Sequence, residues 1–114
     1  MFTLKKETAY KEAHRLNRAV FFIPKKKIKL YINEYMLSDT WANCCILEED
    51  QKAWIELSPS YPSYLFFRNI LAHELVHLYQ FLNPTPGDKK IHGFSFFSWR
   101  KKLKDYDIDL KVRY

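Results

Sequence analysis

From about Tyr64 to Leu82 the chain is apolar at nearly every helical position. Leu65, Ile70, Leu71, Leu75, Leu78 and Leu82 recur at spacings that fit 3.6 residues per turn, and only Arg68 and Glu74 are charged. Pro59 and Pro62 stop whatever precedes this stretch, and Ser60 or Ser63 can cap its first turn. Asn83-Pro84-Thr85-Pro86-Gly87-Asp88 is a dense breaker cluster that ends it. A helix so apolar must be wrapped by the rest of a 114-residue chain, so the fold has to be built around it.

His73 and His77 lie on this helix four residues apart, hence on one face, and are expected in the interior of the domain. Buried imidazoles without partners are costly, and one shared metal ion satisfies both. Glu74, the next residue round, can reach a water on that ion without ligating it. His73-Glu74-Leu75-Val76-His77 is therefore the H-E-x-x-H arrangement of zinc hydrolases, in which two His bind and the Glu is general base. A catalytic Zn2+ takes three protein ligands and leaves the fourth position for water.

The remaining histidines are His14 and His92. His14, among charged neighbours, reads as a surface residue. His92 follows the breaker loop, the arrangement that lets a second element fold back onto the first, and Gly93 allows close backbone approach. With Phe96, Trp99 and Leu103 it forms one face of a last helix, at spacings of four, three and four. The expected constellation is His73, His77 and His92 on one Zn2+. Glu74 would take the water proton and pass it to a leaving amine.

The other elements are shorter. Residues 3–20 read as an N-terminal helix, with Ala9, Ala13, Leu16 and Val20 on its apolar face, Thr3 as N-cap and Pro24 as stop. Residues 25–32 read as a strand, and Trp41–Leu47 and Ala53–Ser58 as two more around the polar turn Glu48–Lys52, an antiparallel hairpin. Tyr106–Tyr114 alternates charged and apolar residues, the signature of a terminal edge strand, through which Val112 and Tyr114 could pair two chains. One α+β domain over 1–114 is expected, with a small antiparallel sheet of about three strands, the active-site helix and a second metal-bearing helix.

Charge is unevenly placed. Residues 1–30 carry nine Lys/Arg against two acids and 89–114 eight against three, whereas 31–88 carry two against eight. A basic periphery of this kind fits a polyanion, nucleic acid foremost, with Lys25, Lys26, Lys27, Arg100, Lys101 and Lys102 as candidate phosphate contacts. A solubilising surface, or an edge strand protected by Lys, would look the same. The adjacent Cys44 and Cys45 do not suit a disulfide and form no C-x-x-C pair, so they read as buried or half-buried strand residues. No apolar run reaches membrane-spanning length, and charge sits where a signal peptide has its apolar core. The expectation is a cytoplasmic protein, or one of the host cytoplasm if viral.

Four stretches stand together in the sequence: Trp41-Ala42-x-Cys44, Ile55-Glu56-Leu57-Ser58-Pro59 with Trp54 before it, the H-E-x-x-H stretch, and His92-Gly93-x-x-Phe96. In this combination the chain resembles the SprT-like metallopeptidases, the family that includes the Spartan DNA–protein crosslink proteases. The resemblance runs from about Thr40 to Leu103. It implies a zincin-like α+β fold whose cleft is bordered by the strand bearing Ile55 and Leu57. It also implies three His on zinc with Glu as base, at His73, His77, His92 and Glu74. Its implied activity is peptide-bond hydrolysis of a protein or peptide substrate, extending to DNA-associated proteins. Many members carry a C-terminal zinc ribbon, and these 114 residues hold no cysteines for one, so a minimal form is expected.

Two other functions fit parts of the pattern. A nucleic-acid-binding module would close a structural zinc with Cys44 or Cys45 as fourth ligand. An interaction protein would bury the histidines without metal. Changing both Cys to Ser releases the metal only in the first of these, and zinc content separates the second.

Overall fold

The computed structural model describes residues 1–36, 39–84 and 92–114. Its elements are β1 (Phe2–Thr3), α1 (Lys6–Leu16), β2 (Leu30–Ile32), β3 (Ala42–Leu47), β4 (Lys52–Leu57), β5 (Ser60–Tyr61), α2 (Tyr64–Leu82), α3 (Phe94–Phe97) and α4 (Arg100–Lys104). The fold is α+β. The breaker cluster after Pro84 and the loop through Ile91 lie outside the described residues.

The long helix forms where the sequence placed it. Ser63, in extended conformation, accepts the Phe66 N–H on its Oγ at 3.1 Å and so caps α2. Phe67, Leu71, Ala72, Leu75 and Val76 are fully buried beneath α1 and the sheet. The helix is not apolar-buried all the way round: Leu65 is 60 % exposed, and His73 and His77 are half-buried. The side that carries the imidazoles faces a cleft rather than the core.

β2, β4 and β3 form a sheet in that order. The β3–β4 hairpin is antiparallel, Cys44 facing Ile55 and Leu47 facing Lys52, with Gln51 in the left-handed region at φ 52° to close its turn. β2 runs parallel to β4, so the sheet is mixed and not antiparallel throughout. Alternation along β4 buries Ile55 and Leu57 completely and turns Trp54 and Glu56 to the outer face. There Glu56 accepts from Trp54 Nε1 (2.8 Å), Asn33 Nδ2 (2.8 Å) and the Cys45 thiol (3.3 Å).

The structure corrects five further expectations. The first helix does not begin at Thr3, because Phe2 and Thr3 pair antiparallel with Tyr61 and Ser60; its N-cap position is Lys5. Nor does it run as an α-helix to residue 20. The buried Asn17 side chain bonds both backbone groups of Ile23 (2.6 and 2.7 Å), and the chain widens into a π turn over Asn17–Phe21 that ends at Phe22 with φ 57°. The lysines at 25–27 form a 3-10 turn after Pro24, leaving only Leu30–Ile32 as strand. The last helix is broken into α3 and α4, and residues 106–114 form no strand; Ile108 and Leu110 are buried against the helices instead.

α1 and α2 are joined by a buried ion pair. Glu12, 2 % exposed, receives Arg68 from α2 and a bidentate Arg15 (both 2.8 Å) from one turn along its own helix. Among the described residues, no helix is long and apolar enough to cross a membrane.

Candidate metal centre

Three imidazoles from two places in the chain converge. The Nε2 atoms of His73 and His77 lie 3.1 Å apart, those of His77 and His92 3.1 Å, and those of His92 and His73 3.4 Å. His73 and His77 come from α2 at i and i+4, while His92 lies in the turn just before α3, not within a helix. Gly93 occupies the N-cap position of α3 and its carbonyl accepts the Phe97 N–H at 3.1 Å. The Phe96 ring, fully buried, packs on all three imidazoles at 4.7–5.2 Å between centroids. The sequence put His92 and Phe96 on one face; the structure makes that phenyl ring the floor of the whole cluster.

The hydrogen bonds fix which ring nitrogens carry protons. His73 Nδ1 lies 2.7 Å from the Lys111 carbonyl and His77 Nδ1 lies 2.9 Å from Gln80 Oε1, both of which can only accept. Each imidazole therefore donates from Nδ1, and its Nε2 presents a lone pair. The 3.1 Å approach of these two Nε2 atoms is then lone pair against lone pair, which is repulsive unless a cation lies between them. Burial lowers the pKa of all three histidines, that of His73 to about 4 with a further contribution from His77, which favours the neutral form a metal requires. A tetrahedral ion with metal–nitrogen distances of about 2.0–2.1 Å sets its ligands about 3.3–3.4 Å apart; one side of this triangle, at 3.4 Å, matches that spacing and the two at 3.1 Å are slightly shorter. His73, His77 and His92 can hold one metal ion.

Glu74 is 6 % exposed and its Oε2 has no hydrogen-bond partner among the described residues. Burial pushes its carboxyl up to about 7. It lies with His73 on the wall of a cleft of about 380 Å³, closed by Trp41 and Ala42 at the start of β3, by Ile70, and by Val112, Arg113 and Tyr114 of the tail. The strand bordering the cleft is thus β3 and not the one bearing Ile55 and Leu57. Those two residues are core, and the Ser58 stretch acts behind the wall. The Ser58 N–H and the Tyr61 hydroxyl both bond the Trp41 carbonyl (2.9 and 2.8 Å), and the Tyr61 and Trp41 rings stack at 5.6 Å.

The cysteines do not join the cluster. Among the described residues the group that could hold a metal contains the three histidines and no thiol. Both Cys are half-buried, as expected; burial pushes the Cys44 thiol up to about 12, and Cys45 donates to Glu56 on the outer face. His14 lies half-buried on α1 beside Tyr10 and also stands apart from the cluster.

The basic candidates are exposed, but they differ in engagement. Arg100 donates twice to the Leu110 carbonyl (3.1 and 3.0 Å) and stacks on Phe97, and Lys102 sits over the Trp99 ring. Lys25–Lys27 and Lys101 project into solvent. Sequence reasoning missed Gln80 and the Lys111 carbonyl. A Gln three residues after the second His was a readable signal; a backbone carbonyl from the tail was not.

A model of the SprT-like family matches residues 9–113, nearly the whole chain, and the chain belongs to that family. A comparison with curated proteins finds no match.

Proposed function

We propose that this chain is a zinc-dependent endopeptidase of zincin-like design. His73, His77 and His92 hold the metal, and Glu74 is the general base. The observation that carries this reading is the convergence of three imidazole Nε2 atoms beside a buried carboxyl group with an unpartnered oxygen. When bound, zinc supplies Lewis acidity, making water acidic near neutral pH and polarising a carbonyl. Glu74 takes a proton from the attacking water on its open oxygen and returns it to the departing amine. Trp41, Ala42 and the tail wall off the cleft in which an extended peptide would lie.

A cleavage assay on an unfolded protein, run alongside zinc analysis, tests this. Glu74→Gln should keep its metal and lose about 10³-fold in turnover, the scale of a general base. Undiminished cleavage by that variant would sink the assigned mechanism. Zinc below about half an equivalent per chain after reloading would sink the metal reading.

Nucleic acid is the partner this reading assigns to the basic side, making nucleic-acid-associated proteins the substrate class. It is supported by a groove of about 530 Å³ in which Lys26, Lys27, Lys29 and Lys52 flank Tyr31 and Trp54, cations beside stacking surfaces. Binding to a single-stranded oligonucleotide should weaken steeply with salt and fall when Lys26 and Lys27 are changed to Ala. Binding with no salt slope would remove nucleic acid from the proposal and leave the peptidase standing.

A further inference from the structure

Residues 108–114 form neither helix nor strand, yet they are pinned from several directions. Ile108 and Leu110 are buried at 2 % and 0 % exposure, and Arg100 of α4 holds the Leu110 carbonyl with two donors. The Asp109 N–H donates to Asn69 Oδ1 on α2 at 3.3 Å. The Tyr114 hydroxyl closes a turn inside the segment: it donates to the Asp109 carbonyl at 2.7 Å and accepts the Lys111 N–H at 2.9 Å. That turn aims the Lys111 carbonyl at His73 Nδ1, 2.7 Å away. Ordering an irregular segment costs conformational entropy, so its many anchors at the point where it meets a candidate ligand call for a reason.

We propose that residues 108–114 are a strap that fixes the Nδ1–H tautomer of His73 and so sets how tightly the metal is held, with Tyr114 as its positioning residue. The proposal rests on the reading of His73, His77 and His92 as ligands. An imidazole ligates through Nε2 only when its proton sits on Nδ1, and an acceptor there both orients the ring and raises its basicity. His77 finds this acceptor on its own helix, in Gln80. One turn before His73, Asn69 carries a side-chain carbonyl, but it is engaged by Asp109. His73 therefore depends on a backbone carbonyl 38 residues further along the chain. Because Val112, Arg113 and Tyr114 also line the cleft, one piece of chain sets both a metal ligand and the substrate wall.

The test uses the full chain. Tyr114→Phe keeps the ring, 5.6 Å from the His73 ring and 6.1 Å from Phe66, and removes both hydroxyl bonds. Its zinc dissociation constant, measured by competition with a chromogenic chelator, should rise about 10-fold. In the zinc-free protein at pH 8, nitrogen NMR of the imidazoles should show His73 passing from Nδ1–H to a tautomer mixture while His77 stays put. Wild-type zinc affinity together with an unmoved His73 tautomer in Tyr114→Phe overturns the strap. If Tyr114→Phe does not fold, Asn69→Ala, which removes the acceptor of the Asp109 N–H, carries the same expectation and the same refutation. A wild-type chain that takes up no zinc overturns the metal reading together with the strap; a zinc-binding wild type with an unaffected variant overturns the strap alone.

Discussion

Glu12 and Glu74 are both glutamates on helices and both almost sealed from water, at 2 % and 6 % exposure, and the chain treats them in opposite ways. Burial pushes the Glu12 carboxyl up, but hydrogen bonds and charge from Arg15 and Arg68 outweigh it and hold the group below its usual 4.5. Glu74 meets no such partners, and burial alone pushes it up to about 7. A buried charge that is paired joins two helices. One left unpaired beside a histidine cluster and a cleft sits where a proton can be accepted, at a cost to the fold. The same residue type, almost sealed from water in both places, joins two helices in one and is the proposed general base in the other, and the difference lies in what faces it.

The sharpest way to break this comparison is to neutralise each acid in turn. Glu74→Gln should lose about 10³-fold in cleavage while the zinc-free protein keeps its stability or gains up to about 1 kcal/mol, since an unpaired buried carboxylate has gone. Denaturant unfolding reads the second half. A loss of stability would mean that Glu74 has structural partners after all. Glu12→Gln should do the reverse. It leaves Arg68 facing a neutral amide, costs about 2 kcal/mol, and leaves turnover per folded molecule unchanged. A large drop in that turnover would show that the α1–α2 junction is coupled to the cleft.

Which of these roles could be read from the chain depends on how far apart the partners lie. H-E-x-x-H is local: helical geometry puts His73 and His77 on one face without help from the rest of the fold, and the apolar run with Ser63 ahead of it set α2 from Tyr64 to Leu82. His92 and Phe96 were legible because a breaker loop and a spacing of four survive as pattern, even though the helix they suggested is broken and His92 stands in a turn. The β3–β4 hairpin was legible for the same local reason. What escaped was tertiary. The parallel pairing of β2 with β4 leaves no local signature. The alternation in residues 106–114, which reads as a strand, in fact serves to bury Ile108 and Leu110 between surface residues. Arg68 was one of two charges in an apolar helix, but nothing in the sequence named Glu12 as its partner.

A pH titration of stability sharpens the structural half. The Glu12 carboxyl is lowered in the fold, so its contribution is fully present above the unfolded value near 4.5 and is lost as pH falls through the lower folded value. The stability gap between the wild type and Glu12→Gln should therefore be constant from neutral pH down to about 5 and shrink below about 4.5. A gap that persists undiminished well below pH 4, or one that opens only above neutrality, would mean that the ion pair is not what holds α1 to α2.

The smallest expected effect comes from a residue beside the histidine cluster. Gln80 is half-buried, its Oε1 accepts a hydrogen bond from His77 Nδ1–H, and its amide donates to Ser95 Oγ at 2.9 Å, which ties α2 to α3 beside the cluster. If polar groups near the cluster serve the metal more than the fold, Gln80→Ala should weaken zinc binding about 10-fold and change zinc-free stability by less than about 1 kcal/mol. Chelator competition and thermal unfolding measure the two. The opposite outcome, intact affinity with lost stability, would place Gln80 with Glu12 among the groups that hold helices together. The orientation of His77 would then rest on the Phe96 ring stacked against it at 5.2 Å.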